Sequence, residues 1–270
     1  MKLRSHLWAD LTRSEIATAR DAGALVVVPV GATEQHADHL PVGTDSLTAA
    51  RLSLAAAEAC AYPVLVAPAV PVGFSPHHAS WPGTLTLSLA TLGAYLDDVT
   101  ASIARAGFTR QLLVNGHGGN RAPLMSIVSE LVTSGREVGC VDYFAPAAAE
   151  INALLKGGSR GVTHAAEAET SLVMALEKDV AGRMAFYRER AGGLPPRPKT
   201  DGDRSAIAAA GAWWPSLFLG DDVGYNGDPA AGSLETGERL IAVIVEKLAA
   251  FYAVFATADL DSGIRPPAQP

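Results

Sequence analysis

Ala24-Leu25-Val26-Val27-Val28-Pro29-Val30 is an apolar, β-branched run that passes at Gly31 into a stretch crowded with polar donors. Such a run suits a strand buried on both faces. The pattern recurs downstream. Thr44–Cys60 reads as a helix, and Val64–Val72 as a strand that Pro68 and Pro71 cut short or push to an edge. Leu89–Ala106 reads as a helix closed by Gly107. Arg110–Asn115 reads as a strand, Pro123–Ser134 as a helix ended by Gly135, and Glu137–Tyr143 as a further strand. Glu167–Glu177 is helical, and Thr236–Phe255 is a long amphipathic helix. Ahead of the first strand, Ser14–Ala22 reads as a short helix with Ser14 as its cap. This alternation predicts an α/β fold, a mainly parallel sheet flanked by helices on both faces.

The 270 residues are expected to form a single domain, 1–270. The Gly- and Pro-rich segment at about 192–232, with Trp213-Trp214, reads as long loops forming a lid or a subunit contact. The tail Ile264–Pro270 reads as frayed. Hydrophobic residues make up 49% and charged residues 18%, which excludes a disordered chain. The net charge of −7 carries no basic stripe, so nucleic acid is not an expected partner. Apolar stretches such as Ala22–Val30 are too short and too interrupted for a bilayer, so no membrane partner is expected. The N-terminus leads into no apolar signal region, and Cys60 and Cys140 lie far apart in Ala- and Val-rich contexts. Both features fit a cytoplasmic protein with reduced thiols.

Six of the seven histidines fall in four short polar segments. The first, Gly31-Ala32-Thr33-Glu34-Gln35-His36-Ala37-Asp38-His39-Leu40-Pro41-Val42-Gly43-Thr44-Asp45, leaves the first strand at its C-terminal end. Ligands of open α/β sheets bind outside that end. Glu34, His36 and Asp45 are donors suited to Zn, Mn or Fe. Asp45 also stands where a helix cap belongs. The second segment, Asn115-Gly116-His117-Gly118-Gly119-Asn120, again follows an apolar strand. It lacks the Lys and Ser/Thr of a phosphate-binding loop, so a central histidine fits metal ligation or acid–base work better. The third, Thr163-His164-Ala165-Ala166-Glu167-Ala168-Glu169-Thr170-Ser171, opens a helix on which the three-residue spacing of His164 and Glu167 implies a shared face. Acids at a solvated helix start are the alternative reading. The fourth, Phe74-Ser75-Pro76-His77-His78-Ala79-Ser80-Trp81-Pro82-Gly83-Thr84, reads as a substrate-pocket wall with His78 and Trp81, or as a surface loop.

At these residues the sequence resembles the creatininase (creatinine amidohydrolase) family. Gly31–Asp45, Asn115–Asn120 and His164–Ser171 resemble its three main motifs in order. Ser80–Thr84 and Gly227-Asp228-Pro229 resemble two of its loops, and the likeness runs from about Leu7 to Phe255. The resemblance implies a hydrolase with two divalent metal ions per chain, Zn foremost and Mn or Fe as alternatives, usually in a homo-hexamer. It implies that Glu34 and His117 hold one ion, His36 the other, and that Asp45 bridges them. Creatininase has a metal-ligating glutamate where this chain has Gly119, so Glu167 is expected to take that place. Glu169 is then expected to support a ligand by hydrogen bonding. Creatininase also has a tryptophan shortly before the residue matching His164, where Arg160-Gly161-Val162-Thr163 stand here. The substrate therefore need not be creatinine.

The expected activity is cleavage of an amide, cyclic amide or formamide C–N bond, other than a peptide bond, in a small molecule. Metal-bound hydroxide is the expected nucleophile. His164 and Glu167 are the expected catalytic residues, His164 passing a proton to the leaving nitrogen. Gly118, Gly119 and Asn120 are expected near the substrate or the ligands. A peptidase, a lactonase or a cyclic keto-sugar hydrolase on the same metals is the enzyme alternative. A non-catalytic metal- or ligand-binding protein is the other.

Overall fold

The structure, a computed structural model, describes residues 3–158, 161–197 and 223–260. Arg160, Trp213-Trp214, most of the 192–232 segment and the tail Ile264–Pro270 lie outside the described residues.

Strands β1 (Leu25–Val30), β2 (Val64–Val66), β3 (Arg110–Asn115) and β4 (Glu137–Asp142) form one sheet in the order β2-β1-β3-β4. Every pairing is parallel. All of β1 is buried. Its alternating side chains divide between two cores, as a strand's two-residue period requires. Leu25 and Val27 join Leu112 and Val114 of β3 in one core. Val26, Val28 and Val30 join Leu113 in the other.

Helices cover both faces. Helix α1 (Arg13–Asp21), α3 (Leu89–Arg105) and α4 (Arg121–Thr133) contribute Ala19, Leu92, Leu96, Leu124 and Ile127 to the second core. The first core receives α2 (Thr44–Ala59), α5 (Ala148–Leu154), α6 (Glu167–Leu176) and the last helix, α8 (Leu234–Thr257). Each buried valine or leucine contributes about 1.5–3 kcal/mol, so the doubly covered strands carry the stability.

Several expectations change in detail. Thr12, rather than Ser14, caps α1 in a capping box with Glu15. The second strand stops at Val66, two residues before Pro68. Helix α5 and helix α7 (Arg183–Gly192) were not apparent in the sequence. Helix α8 is long and apolar enough, by length and composition alone, to cross a membrane. Here its Leu240, Ile244, Leu248 and Tyr252 are buried in the first core. The two cysteines are free and half-buried.

Helices α6 and α8 meet through Gly237. A Cβ there would lie 1.9 Å from the Ser171 carbonyl oxygen and 2.9 Å from Ala175 Cβ. Alanine in a helix gains about 1 kcal/mol over glycine. Overpacking costs about 1–3 kcal/mol, and here the obstacle is backbone that cannot rotate away. Gly237→Ala is therefore expected to lower stability by about 1–2 kcal/mol and the thermal midpoint by about 3–5 °C, toward the upper end of that balance. Calorimetry reads this directly, and an unchanged or raised midpoint would refute the tight α6–α8 contact.

Candidate metal centre

The strand order places the site. Connections leave β1 toward β2 on one side, and the chain returns to put β3 on the other. The C-terminal ends of β1 and β3 therefore flank a crevice where ligands of open sheets bind. Val30 is paired with Asn115, so the polar segments starting at Gly31 and Gly116 emerge side by side. A Cβ on Gly116 would lie 2.4 Å from the Asp45 carbonyl oxygen. Its absence lets the start of α2 sit on the end of β3, which brings Asp45 to His117.

Asp45 joins the two strand ends. Its Oδ1 lies 3.2 Å from His36 Nε2 and its Oδ2 lies 3.0 Å from His117 Nδ1. Glu34 Oε2 lies 3.3 Å from His117 Nε2, and Glu34 Oε1 lies 3.3 Å from His164 Nδ1 and 3.4 Å from His78 Nε2. His36 donates from Nδ1 to the Glu34 carbonyl at 3.0 Å, which directs its Nε2 at the carboxylates. The side chains of Glu34, His36 and Asp45 are buried.

The third motif folds differently from its reading. Helix α6 starts at Glu167, and Ala165 before it is left-handed at φ 52°, so His164 is not on the helix and shares no face with Glu167. Glu167 turns away. Its carboxylate accepts from the Lys156 and Gly157 backbone N–H groups at 2.7–3.1 Å. Glu169 faces the cluster instead, with Oε2 3.5 Å from His36 Nε2 and 2.6 Å from the Ala165 N–H that donates to it. The structure thus exchanges the expected placements of the two glutamates.

Among the described residues, four sets each bring three donor atoms within 4.8 Å of one another: Glu34–His36–Asp45, His36–His164–Glu169, Glu34–His77–His117 and Glu34–His78–His164. Glu34 Oε2, His36 Nε2 and Asp45 Oδ2 are buried without a hydrogen bond. They meet only the charged groups of the same cluster, at 3.0–3.5 Å, and a cation among them would satisfy carboxylate and imidazole together. The donor set fits divalent metal.

The charges point the same way. Burial alone lowers the His36 pKa, but Asp45, Glu169 and Glu34 outweigh it and hold it up to about 10. Burial also opposes the ionised form of Asp45, yet His36 and His117 keep its pKa well below the usual range. Burial raises Glu169 to about 7 despite His36. In this site a proton on His36 occupies the role a metal ion would fill.

Supporting residues fix the donors. The Gln35 side chain accepts from the Ala37 N–H at 2.8 Å, so its amide nitrogen donates to His78 Nδ1 at 2.9 Å and His164 Nε2 at 3.0 Å. That assigns the remaining proton of each imidazole to the nitrogen facing Glu34. Burial, followed by His36, keeps His164 well below its ordinary pKa, so it rests neutral. Asn115 brackets the backbone N–H and C=O of His117 at 3.0 and 2.7 Å and donates to Asp142 at 2.8 Å. Asn120, expected near substrate, is buried and staples loops. It donates to the Gly31 carbonyl at 3.0 Å and accepts from the Phe74 N–H at 2.8 Å. Gly118 and Gly119 form the short turn after His117. Trp81 is half-buried, and its backbone N–H donates to the His78 carbonyl at 3.0 Å. Gln35 and His77 were missed in the sequence, although both lie beside residues that were singled out. Ala37, at φ 53°, and Ala165 each follow a site histidine in a strained conformation of the kind found at functional sites. A cleft of about 610 Å³ opens beside this strand end, lined by Ala37, Asp38, Leu40, Arg183, Phe186 and Tyr187.

This crevice at a parallel sheet's switch point, lined by carboxylates and imidazoles, is a candidate divalent-metal centre on an α/β fold. The chain belongs to the creatininase family, whose creatinine amidohydrolase pattern matches residues 9–252. It is 32% identical to the mycofactocin precursor peptide peptidase of Mycolicibacterium smegmatis over 82% of this chain and 81% of that one. It is 30% identical to the creatinine amidohydrolase of Pseudomonas putida over 63% of this chain and 72% of that one. Among solved structures, a creatininase variant of the Zn-Zn type is 26% identical with a TM-score of 0.73, covering 93% of this chain and 97% of that one. A manganese creatininase at 24% identity and a TM-score of 0.72, covering 93% and 98%, shares the fold.

Two measurements check this geometry. Glu169→Gln is expected to weaken binding of at least one ion by about tenfold or more, the scale seen when support of a metal site is lost. Glu167→Gln is expected to leave metal stoichiometry unchanged and to speed hydrogen exchange at the Lys156 and Gly157 amides. The reverse pattern would contradict the placement. Because metal must displace the proton held on His36 at a pKa of about 10, apparent affinity should rise by about one decade per pH unit from pH 7 to 9. Competition against a coloured chelator measures that slope, and a flat profile would contradict it.

Proposed function

We propose that this chain hydrolyses an amide C–N bond with two divalent ions held by Glu34, His36, Asp45, His117 and Glu169. The supporting observation is the set of buried, hydrogen-bond-free atoms on Glu34, His36 and Asp45. Asp45, with one oxygen toward each imidazole, is the bridging carboxylate of this reading. When bound, ions at such donors lower the pKa of water toward neutrality and polarise a carbonyl. Mixed N/O donors fit Zn foremost, with Mn and Fe as alternatives.

The protein's own groups supply positioning and proton transfer. His164, neutral at rest, is the proton carrier to the leaving nitrogen in this reading; its one lone pair, on Nε2, accepts from Gln35 at rest, so taking a proton requires that contact to open. Gln35 holds its Nε2 and Glu34 lies at its Nδ1, so the ring cannot swing away. His78, held by the same amide, extends the wall toward Trp81. In this reading backbone N–H groups of the turn at Gly118 and Gly119 would meet a substrate carbonyl. A homo-oligomer, a hexamer on the resemblance, belongs to the same reading.

A second reading makes the scissile bond a peptide bond. A relative matched over 81% of its length is a precursor peptide peptidase, and a cleft lies at Ala37 and Asp38, the residues that follow His36. Substrate choice separates the readings: formamides and cyclic amides against short peptides, with lactones as a control for C–O cleavage.

Chelated protein is expected to lose hydrolysis and to regain it with Zn or Mn. His164→Ala is expected to lower kcat by about 10²-fold or more while retaining both ions. Full activity in protein stripped of metal would falsify the proposal.

A further inference from the structure

We propose that His77 is a metal ligand, adding an imidazole to the ion held between Glu34 and His117. The inference rests on the metal-centre reading above and extends it. Pro76–His78 form a short 3₁₀ turn with proline at its start. The turn sends two adjacent histidines to different partners. His78 packs on His164, with ring centres 4.4 Å apart. His77 stacks on His117, with centres 5.5 Å apart and planes 20° from parallel. One nitrogen each of His77 and His117 and one Glu34 oxygen lie within 4.8 Å of one another.

The turn after His117 is shaped around this ring. A Cβ on Gly119 would lie 2.6 Å from His77 Cε1, 2.4 Å from His117 Nε2 and 2.7 Å from the Phe74 carbonyl oxygen. Glycine at 119 therefore lets the second imidazole close over the first. Glu34 and His117 are buried and His77 is half-buried. The third donor thus comes from the side of the site nearer solvent. Adding an imidazole to a carboxylate-rich position raises its preference for Zn or Co over Mn.

The test is metal binding by the full-length protein, with Co(II) as a coloured probe and competition against a chelator. His77→Phe keeps a ring over Gly119 and removes the donor. His77→Ala removes both, and thermal melts confirm folding. Wild type is expected to bind two ions. His77→Phe is expected to weaken one of them by about tenfold or more, to change its Co(II) absorption, and to leave the other unchanged. Wild-type affinities in His77→Phe would overturn the ligand role while leaving the two-metal reading intact. Equal weakening of both ions with a lowered melting point would make His77 a packing residue. A wild-type protein that binds no ion would sink both readings.

Discussion

Three carboxylates and several imidazoles are buried together at the end of a sheet, and their charge must be balanced there. Removing a carboxylate from water costs several kcal/mol even after the surroundings relax. Here Glu34, Asp45 and Glu169 are brought within reach of His36 and His117. Protonating His36 offsets part of that cost, as its raised pKa shows. Divalent ions offset more, because they also satisfy the atoms that no hydrogen bond reaches.

The apolar body exists to hold this arrangement still. Valines on both faces of β1 lock the strand between two helical layers. The β1–β3 register then fixes where Glu34 and His117 begin their turns. Asn115 and Asn120 tie those turns to neighbouring backbone, and Arg121 pairs with Asp142 at 2.6 Å behind Asn115. Strain at Ala37 and Ala165 is held by side chains of the site itself, since Gln35 and Glu169 accept their N–H groups.

The strands and the cluster of Glu34, His36, Asp45 and His117 were legible in the sequence because they depend on local pattern. A doubly buried strand shows as a continuous apolar run, and polar donors directly after it can only lie at its end. The choice between Glu167 and Glu169 was not legible. It turns on where α6 begins, and a left-handed Ala165 displaces His164 from the helix on which spacing had placed it. Gln35 and His77 were hidden because their roles arise from contacts across 43 and 129 residues and from a turn whose geometry has no periodic signature. Helix α7 escaped notice because only Tyr187 and Ala191 are buried on it, too few to mark a face.

Crystallographic anomalous scattering at the metal absorption edges tests the central claim most directly. The account predicts two peaks, one between Glu34, Asp45 and His117 and one between His36, Asp45 and Glu169. Peaks confined to the protein surface, or side chains that stay clustered with no peak among them in crystals grown with Zn or Mn, would contradict it.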